Sequence, residues 1–334
     1  MFASPAGTKL LYTGAAAYAT CTAFAAFWVG FRLPVQHNKA GPFNYHKLIK
    51  AGRPSGMGLE VAKALARRGG WHLHLLDLNA ERGKQAASEV GNATFHQVNV
   101  LDYDSLANVF QEVYDTEGRL DFVFANAGIV ERFNFYESHP PGKPPPPPDQ
   151  TVIDINLKSV LNTAWLAQHY FRQSTDSDNK NLIMTSSVGG FYRCLVSPSY
   201  CASKHGVLGF MRSIAPFFYK HDGVRVNAIC PASVRTNLLD STAWNTFDKD
   251  VFVPIEKISE AVLMLIDGYD VGGKAAVSGE PINSGSNGVA SGERLYGKAV
   301  ELSGTNHYYR EQIPFCSAHQ EMCMRATERE TYVE

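Results

Sequence analysis

From residue 59 onward, short apolar runs alternate with stretches whose apolar positions recur every three or four residues. The runs suit buried strands and the stretches suit amphipathic helices. Residues 59–68 read as a helix closed by Gly69-Gly70, and residues 71–76 as a strand ending in Asp77. A helix over 80–90, a strand over 94–98, a helix over 103–117 and a strand over 120–125 follow. Beyond them the pattern predicts a helix over 150–172, a strand from 182, a helix over 197–219 and a strand over 224–229. Pro216 should kink or shorten the second of those helices. A helix over 255–266 and a last strand over 273–277 complete the series. Strands alternating with helices give an α/β fold, a doubly wound parallel sheet with helices on both faces. Right-handed crossovers gather the strand ends on one edge, where ligands bind.

The two ends of the chain break this rhythm. Residues 1–44 read as an N-terminal extension and linker, 45–280 as the single sheet domain, and 281–334 as a C-terminal extension packing on it, with helices over 295–302 and 318–327. Residues 10–31 carry no charge and are flanked by Lys9 and Arg32. Such a stretch is long enough to span a bilayer. Its Ala, Gly and Thr content makes the drive to insert weak. It is read either as a membrane anchor or as a loosely packed apolar arm. The segment 45–51 falls where a first strand belongs, yet it is poor in apolar residues for a central position. Residues 139–149 hold the run Pro144 to Pro148, which predicts a stiff surface loop.

Composition narrows the partners. The chain has 334 residues, 45% of them hydrophobic, and a formal net charge of −1. There is core material in plenty and no electrostatic case for nucleic acid. The six cysteines form no CxxC pair and no cluster with histidine, so no metal is expected. They fit reduced thiols in a cytoplasmic protein.

Three groups of residues carry candidate chemistry. Gly52, Ser55, Gly56, Met57 and Gly58 form a glycine-rich turn that opens a helix. Glycines let the backbone approach a pyrophosphate, and the helix start offers N–H groups to it, as in a Rossmann-type fold. Asp77 stands 19 residues after Gly58, at a strand end. A carboxylate there accepts both ribose hydroxyls of NAD and repels the 2′-phosphate of NADP; a helix N-cap is the plainer reading. Tyr200 and Lys204 are four apart and share a helix face. An ammonium beside a phenol favours phenolate and lowers its pKa. Ser187 closes the run from Leu182 and can hold the oxygen that the tyrosine protonates. Taken alone, such a pair is common, and an incidental pair on an ordinary helix is the preferred reading.

Together these residues resemble the short-chain dehydrogenase/reductase family over about 52–278. Gly52, Gly56 and Gly58 match its cofactor glycines, Asn126-Ala127-Gly128 its NAG turn, and Pro231 to Thr236 its P-G-x-x-x-T motif. Asn156, Ser187, Tyr200 and Lys204 match its catalytic tetrad. The segment His307 to Glu311 looks like a fungal subgroup resembling NAD-dependent 15-hydroxyprostaglandin dehydrogenase. Departures are Ala51 for a threonine, Arg53 and Pro54 for small residues, Asn99 (followed by Val100) for an aspartate near the adenine, and Ala232 for a glycine. Ser197 replaces a glutamine of the prostaglandin enzyme, which argues against prostaglandin as substrate.

The resemblance implies hydride transfer between a nicotinamide cofactor and a secondary alcohol or ketone. Tyr200 would exchange the proton, Ser187 would hold the substrate oxygen, and Lys204 would bond the nicotinamide ribose. Asn156 would position a relay water, and Val234 and Thr236 would bind the carboxamide. Asp77 favours NAD over NADP. Phe191, Tyr192, Leu195, Leu238 and Leu239 are candidates for an apolar pocket, with core or dimer interface as the plain alternative. The subgroup suggests a terpenoid or meroterpenoid intermediate of secondary metabolism, and the family a homodimer or homotetramer. The competing expectation is a non-catalytic cofactor-binding scaffold, which the weak first strand, Ala51 and Arg53 would favour.

Overall fold

The computed structural model describes residues 27–32, 56–175, 177–236, 238, 244–245, 247–270, 274–277, 280–282 and 294–328. The elements are β1 (Phe27–Arg32), α1 (Met57–Arg68), β2 (Trp71–Asp77), α2 (Ala80–Val90), β3 (Ala93–Gln97), α3 (Tyr103–Glu117) and β4 (Phe122–Ala125). Next come α4 (Thr151–Ile153), a π-helical turn (Asp154–Lys158), α5 (Ser159–Gln173), β5 (Lys180–Thr185), α6 (Pro198–Asp222) and β6 (Val224–Pro231). The chain continues as α7 (Ile255–Asp267), β7 (Lys274–Val277), β8 (Glu280–Ile282), β9 (Ala299–Ser303), β10 (Asn306–Tyr309) and α8 (Ala318–Arg325).

One ten-stranded sheet runs β3-β2-β1-β4-β5-β6-β9-β10-β7-β8. The pairs β2/β3, β4/β5, β5/β6 and β6/β9 are parallel. Their helical crossovers cover both faces. On one face Leu106, Phe110, Phe171, Met184, Val207, Met211 and Val226 join α3, α5 and α6 to the sheet. On the other, Val61, Leu65, Leu73, Phe122, Phe124, Val262 and Leu265 join α1 and α7 to it. The doubly wound α/β arrangement expected from the alternating pattern is therefore present.

Its details differ from expectation in four places. The slot between β2 and β4 holds β1, which pairs antiparallel with both. The segment 45–51, expected there, lies outside the described residues, as do 10–26 of the possible membrane stretch. Residues 27–31 of that stretch belong to the strand. An uninterrupted apolar run suits a central strand better than one bearing His46, Lys47 and Lys50. Among the described residues no helix is long and apolar enough to cross a membrane. Secondly, residues 299–303 form β9 beside β6 rather than a helix, so the sheet extends past residue 280. Val300 and Leu302 there are fully buried. Thirdly, 274–277 is a strand but not the last: β8, β9 and β10 follow it, and it lies between β10 and β8 towards the far edge. Fourthly, α6 runs through Pro216 to Asp222. The one hydrogen bond a proline removes is outweighed by the packing of its buried neighbours Ala215 and Phe218.

Arg225 on β6 is the largest fully buried side chain among the described residues, 2% exposed. It donates to Leu265 O and Ile266 O at 2.6 Å and to Asn179 Oδ1 at 2.5 Å. These carbonyls end α7, where a cation is favoured by the helix dipole. Burial lowers the guanidinium pKa to about 10, so it stays charged at neutral pH. Arg225→Met strands those acceptors and is expected to cost about 3 kcal/mol of stability in urea unfolding. A loss below about 0.5 kcal/mol would mean the carbonyls find other donors.

Candidate active site

The ends of β4, β5 and β6 lie side by side, Ala125 opposite Met184 and Thr185 opposite Ile229. β4 leads into Asn126-Ala127-Gly128 and β5 into Ser186-Ser187. Asn126 Oδ1 accepts from Thr185 Oγ1 at 2.8 Å, tying the two strand ends together.

The catalytic candidates converge here. Pro198 opens α6, where its missing N–H costs nothing. Glu131, just past the NAG turn, accepts from the N–H groups of Ser199 at 2.9 Å and Tyr200 at 3.1 Å, which fixes the start of the helix. Lys204 follows one turn later and is 3% exposed. Its Nζ donates to Thr185 O at 2.9 Å and lies 5.6 Å from the Tyr200 ring centroid. Gly190 allows this approach: a Cβ there would meet Lys204 O at 2.9 Å and Ser186 Oγ at 2.7 Å. Ser187 accepts from Gly189 N–H at 3.1 Å, and its hydroxyl also bonds the Tyr200 phenol.

The electrostatics depart from the simple Tyr/Lys argument. Burial pushes the Tyr200 phenol upward, and the Ser187 hydrogen bond pulls it down by less. Burial also drives Lys204 down to about 8. A dry pocket penalises both charged forms. The ammonium stands beside the phenol, yet the phenol pKa is raised in this structure rather than lowered.

Asn156 sits in the π-helical turn and is fully buried. Such turns inside helices frequently mark functional sites. Its amide accepts from Ile129 N–H at 2.8 Å and donates to Ile129 O at 2.9 Å and Ser203 Oγ at 3.1 Å. Ser203 in turn donates to Tyr200 O at 2.7 Å. In the structure, then, Asn156 clamps the segment after the NAG turn to the helix of Tyr200.

The cofactor candidates line the same edge. Gly56 is the N-cap of α1 and, having no side chain, makes no cap hydrogen bond to it; among the described residues no such bond is seen there. Met57 is half-buried and Gly58 buried. Gly52 and Ser55 lie outside the described residues. Asp77 ends β2, 5% exposed, and accepts from Asn79 N–H at 2.7 Å. Burial raises its pKa to about 6. The N-cap of α2 is Asn79, not Asp77. Asn99 is exposed and turns back to Leu101 N–H at 3.1 Å, while Val100 is buried. Ala127 is buried, and a Cβ on Gly128 would lie 3.3 Å from Asn156 Oδ1 and 3.5 Å from Lys204 Nζ. Val234 and Thr236 are buried beyond β6, and Thr236 O accepts from Trp244 Nε1 at 2.8 Å. A helix start with glycine at its N-cap, a buried strand-end carboxyl and a turn without a side chain fit a dinucleotide.

Of the pocket candidates, Phe191 packs against the core while Tyr192 and Leu195 are 47% and 70% exposed. Leu238 is half-buried and Leu239 lies outside the described residues. The Arg310 guanidinium covers the rings of Phe191 and Tyr192 at 5.2 and 5.5 Å and pairs with Glu301 at 3.3 Å. This surface is therefore not purely apolar. Sequence reasoning missed Glu131, Thr185, Ser203 and Arg310. Only an acidic residue soon after the NAG turn hinted at a helix cap.

The chain belongs to the short-chain dehydrogenase/reductase family: the model for short chain dehydrogenases matches residues 48–245. It is an oxidoreductase that acts on a small molecule with a nicotinamide cofactor. Among its relatives, the short-chain dehydrogenase/reductase prx7 of Penicillium rubens is 46% identical over 288 residues, covering 83% of this chain and 98% of that protein. Human 15-hydroxyprostaglandin dehydrogenase [NAD(+)] is 34% identical over 200 residues, covering 58% of this chain and 70% of that protein. A short chain dehydrogenase from Bacillus anthracis shares the fold with a TM-score of 0.54 at 21% identity, over 63% of this chain and 85% of that one.

Proposed function

We propose that this protein interconverts a secondary alcohol and a ketone on a lipophilic substrate, using NAD in preference to NADP. The observation that carries the reading is the convergence of the half-buried Tyr200 with the buried Ser187 and Lys204 where β5 ends and α6 begins. The nicotinamide supplies the two-electron chemistry. Tyr200 moves the proton at the substrate oxygen and Ser187 holds that oxygen by hydrogen bond. Lys204 binds the nicotinamide ribose, and its charge beside the ring favours the phenolate. Asn156 holds the NAG turn and the catalytic helix in register, and its backbone borders the proton route to solvent. Gly52, Ser55, Gly56, Met57 and Gly58 cradle the pyrophosphate, Asn99 and Val100 border the adenine, and Val234 and Thr236 the carboxamide.

Asp77 and the NAD-dependent human relative both support NAD. The Asp77 pKa of about 6 gives a prediction. Ionised, the carboxylate accepts from both ribose hydroxyls; protonated, it cannot. NAD affinity should rise as pH climbs through about 6 and level off above it. Asp77→Asn should flatten that dependence and narrow the preference over NADP. Isothermal titration between pH 5 and 8 checks both, and an unchanged slope in the variant would remove Asp77 from the ribose site.

The substrate reading, a terpenoid or meroterpenoid intermediate of secondary metabolism, rests on similarity to fungal members of the family. Leu161 and Trp165 on α5 are 38% and 68% exposed, which supports pairing of copies through this helix into a homodimer or homotetramer. The test is to incubate the protein with NAD and NADP separately over a panel of lipophilic secondary alcohols, and with NADH and NADPH over the matching ketones. Absorbance of the reduced nicotinamide reports turnover. Tight dinucleotide binding with no turnover on any member would favour the scaffold.

A further inference from the structure

The half of β2 remote from Asp77 carries His72 and His74. Two apart on a strand, their side chains leave on the same face, the one covered by α3. There they meet Glu117, the last residue of α3. Its Oε1 lies 2.5 Å from His72 Nδ1 and 3.2 Å from His74 Nε2. All three atoms fall within 4.8 Å of one another. His74 is 3% exposed, whereas His72 keeps 27% of its side chain in solvent and leaves a way in.

The other ring nitrogens are held as well. His74 Nδ1 is 2.9 Å from His96 Nε2 on β3, and His72 Nε2 is 3.3 Å from Thr94 Oγ1. His96 Nδ1 faces Glu112 Oε2 at 3.7 Å. Neutral imidazoles leave one of these contacts frustrated, because each carries a single N–H. If His74 donates from Nε2 to Glu117, His96 must donate from Nε2 to His74, and its bare Nδ1 then faces the Glu112 carboxylate. If His74 donates from Nδ1 instead, its bare Nε2 faces Glu117. A cation at the Glu117 end resolves the conflict. His72 Nδ1 and His74 Nε2 then ligate through lone pairs. His72 Nε2–H donates to Thr94, His74 Nδ1–H to His96, and His96 Nδ1–H to Glu112. Partners on the outer nitrogens are the arrangement that orients histidine ligands.

We propose that His72, His74 and Glu117 bind a divalent cation of the zinc class, with water in a fourth position, clasping the end of α3 to the sheet. Two imidazoles and a carboxylate suit zinc and not the oxygen-seeking magnesium or calcium. Tetrahedral ligands about 2.1 Å from zinc stand about 3.4 Å apart, so on binding Glu117 retreats from His72 by about 1 Å and the two ring nitrogens, which lie within 4.8 Å of one another, draw together by about 1 Å. The cluster escapes sequence inspection because Glu117 comes from a helix far along the chain.

The test uses the full chain, stripped by chelator, with zinc in equilibrium dialysis and cobalt as a spectroscopic probe. One equivalent of zinc should bind at micromolar or tighter affinity, and cobalt should give the visible bands of a tetrahedral site. His72→Ala and Glu117→Gln should each weaken binding on the order of a hundredfold. Melting without metal confirms that both variants fold. Cys323→Ser is the control, because Cys323 Sγ lies 3.8 Å from His319 Nε2 on α8 and offers zinc another seat. Retained binding in Cys323→Ser supports the proposal. It is overturned if stripped protein takes up no zinc, if His72→Ala and Glu117→Gln bind as wild type does, or if only Cys323→Ser loses the metal.

Discussion

Tyr200→Phe lowers turnover by about a thousandfold or more and leaves the dissociation constant for NADH within about twofold. The phenol oxygen is the only atom removed, and the ring keeps its place under the Ser199 and Tyr200 N–H bonds to Glu131. Position, packing and the Lys204–Thr185 contact all survive, so the loss falls on proton transfer alone. Steady-state rates with the best substrate of the panel, set against NADH fluorescence titration, separate the two effects. Undiminished turnover would remove Tyr200 from the chemistry; lost NADH binding would mean that the hydroxyl serves the cofactor.

Lys204→Met has the second largest effect, and it divides differently. Turnover should fall about a hundredfold or more, and NADH should bind several-fold more weakly, because one side chain serves both proton transfer and ribose. Stability should change little. The ammonium is 3% exposed and driven down to about 8, so its burial already opposes folding. Methionine removes that desolvation while leaving Thr185 O without its donor, and the two effects offset. Melting temperature beside kinetics checks the balance. A large loss of stability with proportionate loss of activity would make Lys204 a structural residue.

How far the sequence could be read depended on the range of the interactions. Tyr200 and Lys204 share one helix, and the glycine turn and Asp77 flank one helix-strand unit, so their spacing was visible, though only the other motifs in order gave it meaning. The alternation of runs similarly exposed the parallel sheet. Glu131 reaches a helix that begins at Pro198, and Thr185 holds both Asn126 and Lys204. Such contacts have no local pattern. Residues 299–303 are too few for periodicity to tell strand from helix. Burial, which spacing does not report, reversed the expected shift of the Tyr200 phenol.

The antiparallel β1 has its own consequence. Among the described strands, β2 and β3 meet the rest of the sheet through β1 alone, Phe27 in register with Leu76 on one side and Ala125 on the other. On one face α1 and α7 also bridge the halves, through Arg68 to Asp267 and Ser259 to Glu60. Asp77 rides on one half, while Tyr200 and Lys204 ride on the other. On the function proposed above, the strand would act as a ruler that sets the span between the ends of a long, two-headed ligand. Loosening it would leave the proton-transfer group whole while spoiling the distance that such a ligand must bridge.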